Sequence, residues 1–199
     1  NATYDEMPNF YWDERGAGQE IEKYQMKEEV SNLCGAAVLY RKEALLEVGL
    51  FDEDFIMFLE DIDMGIRCRN NNWKLVTCHK SIIYHKFHGT IKNEDSARHW
   101  LETNRLLLIA KHYPRKLPFA LVGKGYFTVK NEYIYDNARD ISNVLGKVFA
   151  KLIKEHGSVF AYEISGDLFR AIRKIYNFEK EYLIKKTKQI SILSEIIRN

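Results

Sequence analysis

The sequence predicts a mixed α/β fold that is largely helical, with a small mixed sheet carrying a short site helix and a helical bundle after it. Three observations predict it. Between residues 33 and 85, short apolar runs alternate with helical segments. From residue 94 onward, apolar positions recur at helical spacing. And 199 residues, 46% of them apolar, suffice to bury a core of domain size.

Residues 1–32 are polar and irregular, with Tyr4, Phe10, Tyr11 and Trp12 among them and Gly16 and Gly18 in a flexible stretch. This reads as a loop covering a site. The two glycines make no dinucleotide fingerprint, because no strand precedes them and no third glycine follows. Residues 33–40 (LCGAAVLY) are short, apolar and rich in small residues, as a buried strand requires. Gly35, Ala36 and Ala37 there permit close approach of a ligand or another backbone. Residues 42–48 form a short helix stopped by Gly49. After a turn at Gly49–Glu53, a helix is expected from about Leu59 or Glu60 to about Asn71. Lys74–Thr77 and Ser81–Tyr84 read as two strands, with His85 at the end of the second.

Residues 94–113 form a helix on the spacing of Trp100, Leu101, Asn104, Leu107, Leu108 and Lys111, and Pro114 stops it. Ile141, Val144, Leu145, Val148, Phe149, Leu152 and Ile153 predict another, ended by Gly157. Two more are expected on Ile164–Ile175 and Ile190–Ile197. The sheet is therefore expected from residues 33–40, 74–77 and 81–85. Its exposed edges call for cover by the N-terminal loop or by a second copy of the chain, a homodimer.

The net charge of +2 conceals an asymmetry. Residues 1–110 hold 13 Lys and Arg against 19 Asp and Glu, a balance of −6; residues 111–199 hold 17 against 9, a balance of +8. An acidic front half suits a site handling metal or hydroxyl groups. A basic helical back half suits an anionic surface such as a membrane, or is simply a solvated face. The basic residues follow no nucleic-acid-binding motif, so nucleic acid is not an expected partner. No apolar run approaches the ~20 residues that span a bilayer. Cys34, Cys68 and Cys78 have no close metal spacing, and their odd number without a secretion signal points to reduced thiols and a cytoplasmic setting.

The chemistry concentrates at Glu60-Asp61-Ile62-Asp63, which follows the apolar run Phe55–Leu59. Carboxylates against an apolar wall lose water and gain affinity for protons, as a general base requires. In the first helical turn they also meet the favourable end of the dipole, so a capping role competes with a catalytic one. Asp63 and Arg67 stand four residues apart and can pair.

Gly49 to Asp63 (GLFDEDFIMFLEDID) resembles the "GxFDExFFxYxEDxDL" signature of family 2 glycosyltransferases with the GT-A fold, especially rhamnosyltransferase-like members. Around it in order stand Cys34-Gly35-Ala36-Ala37, Arg67 with Trp73-Lys74-Leu75, Tyr84-His85 and Asn104-Arg105, each similar to a family element. The likeness covers roughly residues 10–115. Ile56 departs from a usual aromatic and Cys78 from a usual proline, which bears on substrate identity rather than reaction type. The resemblance implies a partial GT-A fold: residues 1–115 as the C-terminal, acceptor-side portion of a catalytic domain, and 116–199 as a helical C-terminal region. The nucleotide-binding half with its Asp-x-Asp metal motif has no counterpart here, and Asp61-Ile62-Asp63, though it has those letters, lies at a helix start.

The resemblance further implies an inverting enzyme of bacterial cell-surface polysaccharide synthesis that takes a nucleotide-sugar donor and a glycan acceptor. Asp61 would be the general base, and His85 one ligand of a divalent metal, Mg2+ or Mn2+, completed by the absent half. Gly35, Ala36, Glu60, Asp63, Arg67 and Trp73 would surround the substrate, with Asp63 expected to pair with Arg67. Alone, the chain is expected to be inactive. A peripheral place on the inner face of the cell membrane would suit the basic helices. The competing reading is a non-catalytic glycan-binding or membrane- or partner-docking module.

Overall fold

The computed structural model describes residues 3–7, 11–85, 94–118, 120, 138–167 and 170. The chain divides into two compact units, residues 1–108 and 109–199. The division falls just short of the boundary expected at 115/116.

The first unit opens with an antiparallel hairpin of β1 (Thr3–Met7) and β2 (Tyr11–Glu14), in the register Tyr4↔Glu14 to Met7↔Tyr11. A short strand, β3 (Asn32–Leu33), pairs with β1 to give the sheet order β2-β1-β3. The expected loop over residues 1–32 is thus partly sheet. Its strand β1 pairs with β2 within a dozen residues and with β3 about 30 positions further on.

The sheet expected from residues 33–40, 74–77 and 81–85 does not form. After β3 the chain turns at once into a 3-10 turn, Gly35–Ala37, whose small side chains carry no β preference. Residues 74–77 meet 28–30 in a single antiparallel bridge at Glu29↔Val76, closed by Val30 N–H to Leu75 O (2.9 Å) and Thr77 N–H to Glu28 O (2.9 Å). Residues 81–85 have no ladder and are exposed. A mixed sheet carrying the site helix is therefore corrected to a small antiparallel sheet at the N-terminus.

The helices follow the sequence closely. Helix α1 (Lys42–Val48) ends at Gly49, whose φ of +85° lies where glycine alone is unstrained. Helix α2 (Glu60–Asn70) is the centre of the first unit: residues 61–66 and Cys68 are all buried. Met64 (0% exposed), Cys68 and Leu75 form its core cluster, with Val30, Leu33, Tyr40, Leu45, Val48 and Trp73 packed around them. At 25 cal/mol per Å2, burying one such side chain contributes about 1.5–3 kcal/mol. Gly65 marks where α2 runs close to β3; a Cβ there would lie 2.8 Å from Asn32 Oδ1.

Helix α3 (Glu94–His112) is buried continuously from Glu102 to Ala110, while Ser96 and Trp100 nearer its start are exposed. Pro114 follows it in a 3-10 turn, Pro114–Lys116. In the second unit, helix α4 (Ala138–His156) buries Val144, Val148 and Leu152 on one stripe, as the spacing predicts. Lys151 is buried beside them and is paired with Glu155 at 3.3 Å. Gly157, at φ +83°, ends α4, and residues 158–167 are again helical. The remainder of the helix expected to Ile175, and the helix expected on Ile190–Ile197, lie outside the described residues.

Candidate functional site

The approach to α2 is unusual backbone. Phe58 (φ +72°) and Leu59 (φ +66°) both adopt the left-handed region, and neither is glycine. Each such residue costs on the order of 1 kcal/mol and persists only where surrounding structure over-determines it. Leu59 stands at the N-cap position and has no side-chain group to cap with. The first helical bond runs from Asp63 N–H to Leu59 O at 2.9 Å.

Asp61, the second residue of α2, is 7% exposed. Its Oδ2 accepts the backbone N–H of Gly35 at 2.7 Å, and its Oδ1 accepts that of Ile62 at 2.8 Å. Burial pushes its carboxyl above the ordinary aspartate range; these hydrogen bonds, and one from its own N–H, pull the other way without cancelling the effect. The Ile62 contact is a helix-start contact, the Gly35 contact a tertiary one. Each carboxylate oxygen keeps a second lone pair. Gly35 is fitted to this duty: a Cβ on it would lie 3.3 Å from both Asp61 Cβ and Oδ2. The close approach expected at Gly35 is thus made by the Asp61 side chain.

Glu60 is half-buried, and its Oε2 is enclosed without a hydrogen-bond partner among the described residues. Burial raises its affinity for protons, its own backbone N–H lowers it, and the Asp61 charge raises it again. Asp63 is fully buried and pairs with Arg67 at 2.9 Å, as the i,i+4 spacing predicts. Arg67 also donates to the carbonyls of Val48 (2.6 Å), Gly49 (2.9 Å) and Leu50 (2.9 Å). Its guanidinium thereby clamps the end of α1 and the following turn to α2.

Trp73 packs against the Met64 cluster and donates its indole N–H to Glu47 at 3.0 Å, so its ring is occupied within the fold. Ala36 is exposed in the 3-10 turn. His85 is exposed and lies on no strand. Among the described residues no three His, Cys, Asp or Glu side chains gather as a metal-binding group. The structure therefore brings together Gly35, Glu60, Asp61, Asp63 and Arg67 around the start of α2. It joins His85 to none of them by a described hydrogen bond or ion pair.

Two residues belong to this neighbourhood that the sequence did not assign a role. Tyr40 packs edge-on to Phe51, with ring centroids 5.8 Å apart, beside the core of α2. Burial, followed by the charges of Asp61, Cys68 and Glu60, holds its phenol protonated well beyond the usual tyrosine range, while Arg67 acts in the opposite sense. Its hydroxyl therefore stays neutral beside the carboxylates. Asn104 donates to the carbonyls of Met57 (2.6 Å) and Phe58 (2.8 Å). Its membership in the Asn104-Arg105 motif was the one signal it gave.

A cavity of about 680 Å3 is lined by Tyr24, Leu33, Leu39, Thr77, Cys78 and Ile82 among others. Asp61 is not among its lining residues.

Residues 4–99 match the family described as "Glycosyltransferase like family 2". Over 68 residues the chain is 37% identical to the N-acetylglucosaminyl-diphospho-decaprenol L-rhamnosyltransferases of two Mycobacterium tuberculosis strains, CDC 1551 / Oshkosh and ATCC 25618 / H37Rv. The match covers 34% of this chain and 22% of each relative's length. No solved structure matches the chain. The family match lies in the first half of the chain, and the chain spans about a fifth of the length of these relatives.

Proposed function

We propose, with a family 2 glycosyltransferase domain over residues 4–99 as the premise, that this chain is the acceptor-side, base-bearing portion of an inverting sugar transferase. The observation that carries the proposal is the state of Asp61: enclosed at a helix start, fixed by the Gly35 N–H at 2.7 Å, and raised in proton affinity by burial. A carboxylate so held can take a proton from an acceptor hydroxyl as that oxygen attacks the anomeric carbon. The new C–O bond forms on the face opposite the departing nucleotide diphosphate, so configuration inverts. The O–H electron pair becomes the nucleophile, and the proton ends on Asp61.

Glu60, with its enclosed and unpartnered Oε2, supplies an acceptor for a sugar hydroxyl beside the base. Asp63 and Arg67 act through the fold: they lock α1, the turn and α2 into one piece. Gly35 acts through Asp61, and Ala36 and Trp73 have supporting places only. The relatives' printed names make a lipid-diphosphate-linked sugar the acceptor class this reading favours, as polysaccharide assembly uses.

A divalent cation, Mg2+ or Mn2+, with His85 as one ligand, belongs to the same proposal. The described residues gather no ligand set for it, and no step above runs through it. A peripheral position on the inner face of a membrane belongs to the same proposal; the +8 balance of residues 111–199 supports it, since a basic surface is attracted to anionic lipid. Among the described residues no helix is long and apolar enough to cross one.

The test is Asp61→Asn in the full-length enzyme supplied with nucleotide-sugar and acceptor. Loss of general-base assistance predicts a fall in kcat of about 10²–10⁴-fold, with the circular dichroism spectrum retained. Unchanged turnover would remove Asp61 from the base role.

A further inference from the structure

Asn104 is 5% exposed on α3, and its side-chain nitrogen contacts two carbonyl oxygens at once, Met57 O at 2.6 Å and Phe58 O at 2.8 Å. Carbonyls only accept, so the contacting atom is the NH2 group, and both of its hydrogens are used. Those carbonyls belong to the turn in which Phe58 and Leu59 take left-handed φ values of 72° and 66°. Two successive left-handed residues with side chains need outside restraint, and Asn104 supplies it through the backbone. Glu60 and Asp61 come next in the chain. The angle of this turn therefore sets where the Asp61 carboxylate stands relative to the Gly35 N–H.

We propose that Asn104 is a positioning residue for Asp61: its amide fixes the left-handed turn at Met57–Leu59 and so aims the carboxylate at the acceptor hydroxyl. The inference rests on the reading of Asp61 as base. It goes further by placing part of the catalytic geometry on a helix 43 positions away in sequence. No other side chain of similar size serves. Aspartate offers no hydrogen to the carbonyls, serine offers one, and alanine none.

The test has two arms. In the 199-residue chain, the Gly35 amide proton reports the bond to Asp61 Oδ2. It should resonate downfield and move as Asp61 titrates. Asn104→Ala and Asn104→Asp should abolish most of that downfield displacement while helical content is kept. Phe58→Gly, which accepts the left-handed conformation without strain, should restore it in the Asn104→Ala background. If Asn104→Ala does not fold, Asn104→Ser decides, since it keeps one donor: a reduced displacement supports the proposal, an unchanged one overturns it. In the full-length enzyme, Asn104→Ala should lower kcat by about 10²-fold with the donor KM unchanged, and Phe58→Gly should recover most of the loss. A folded Asn104→Ala chain with the wild-type Gly35 signal overturns the positioning role, whether or not the enzyme transfers sugar. Collapse of that signal beside a wild-type protein that transfers nothing would leave positioning standing and refute the transferase reading.

Discussion

The start of α2 and the segment from Lys74 to His85 were expected to hold the two halves of one site, yet they are built in opposite ways. Asp61 is fixed from three directions: its own helix, the Gly35 turn and the Asn104-held approach. His85 and the seven residues before it, Cys78–Tyr84, are all exposed and belong to no strand. The contrast teaches what positions a catalytic group. A helix saturates its own backbone and needs only packing to be placed. A strand is half a structure until another strand completes it. Exposed Ile82 (60%), Ile83 (48%) and Tyr84 (100%) show how little of this chain lies against the His85 segment.

The sharpest way to break the comparison is to remove the clamp from the ordered side. Arg67→Ala removes the guanidinium from the fully buried Asp63 and from the carbonyls of Val48, Gly49 and Leu50. The expected cost is about 3–5 kcal/mol, read from the urea midpoint. A loss below ~1 kcal/mol would mean that α2 is held by packing alone. Met64→Ala, at a fully buried position, should cost about 2–5 kcal/mol in the same measurement. On the other side, His85→Ala should change stability by less than about 0.5 kcal/mol, since the residue is exposed. A large destabilisation there would reveal contacts that make the two regions alike.

The pH dependence sharpens the same contrast with a smaller effect. Asp61 binds its proton more tightly folded than unfolded. The folded protein therefore holds more protons than the unfolded chain in the window between the two pKa values, and stability falls as pH rises through it. The stability difference between wild type and Asp61→Asn should decline from the ordinary aspartate value of 3.8 upward, and flatten above the raised folded value. A difference that instead grows with pH would mean that the Gly35 and Ile62 hydrogen bonds outweigh burial. Catalysis runs the other way, since the base works only when ionised: activity should climb with pH across that window.

Much of the first unit was legible. The extents of α1, α2 and α3 were set by Gly49, the Asn70–Asn72 run and Pro114, and the Asp63–Arg67 pair by helical spacing. What was not legible involved partners distant in sequence. Residues 33–40 are apolar enough for a buried strand, but the pairing with β1 stops at Leu33 and the small residues Gly35–Ala37 turn instead. Trp73 looked able to face a sugar, but Glu47 and the Met64 cluster claim it. Arg67, expected beside substrate, turns its guanidinium to the backbone of the turn instead.

By itself the sequence determined the helices, their stops and the carboxylates of their first turn, since those depend on hydrogen bonds and side-chain neighbours within about four residues. Only the tertiary structure decided which carboxylate is enclosed, which glycine holds it, and that an asparagine on α3 restrains the turn ahead of it. Burial and strain are properties of what closes around a residue, and that closure is made by parts of the chain that no local pattern connects.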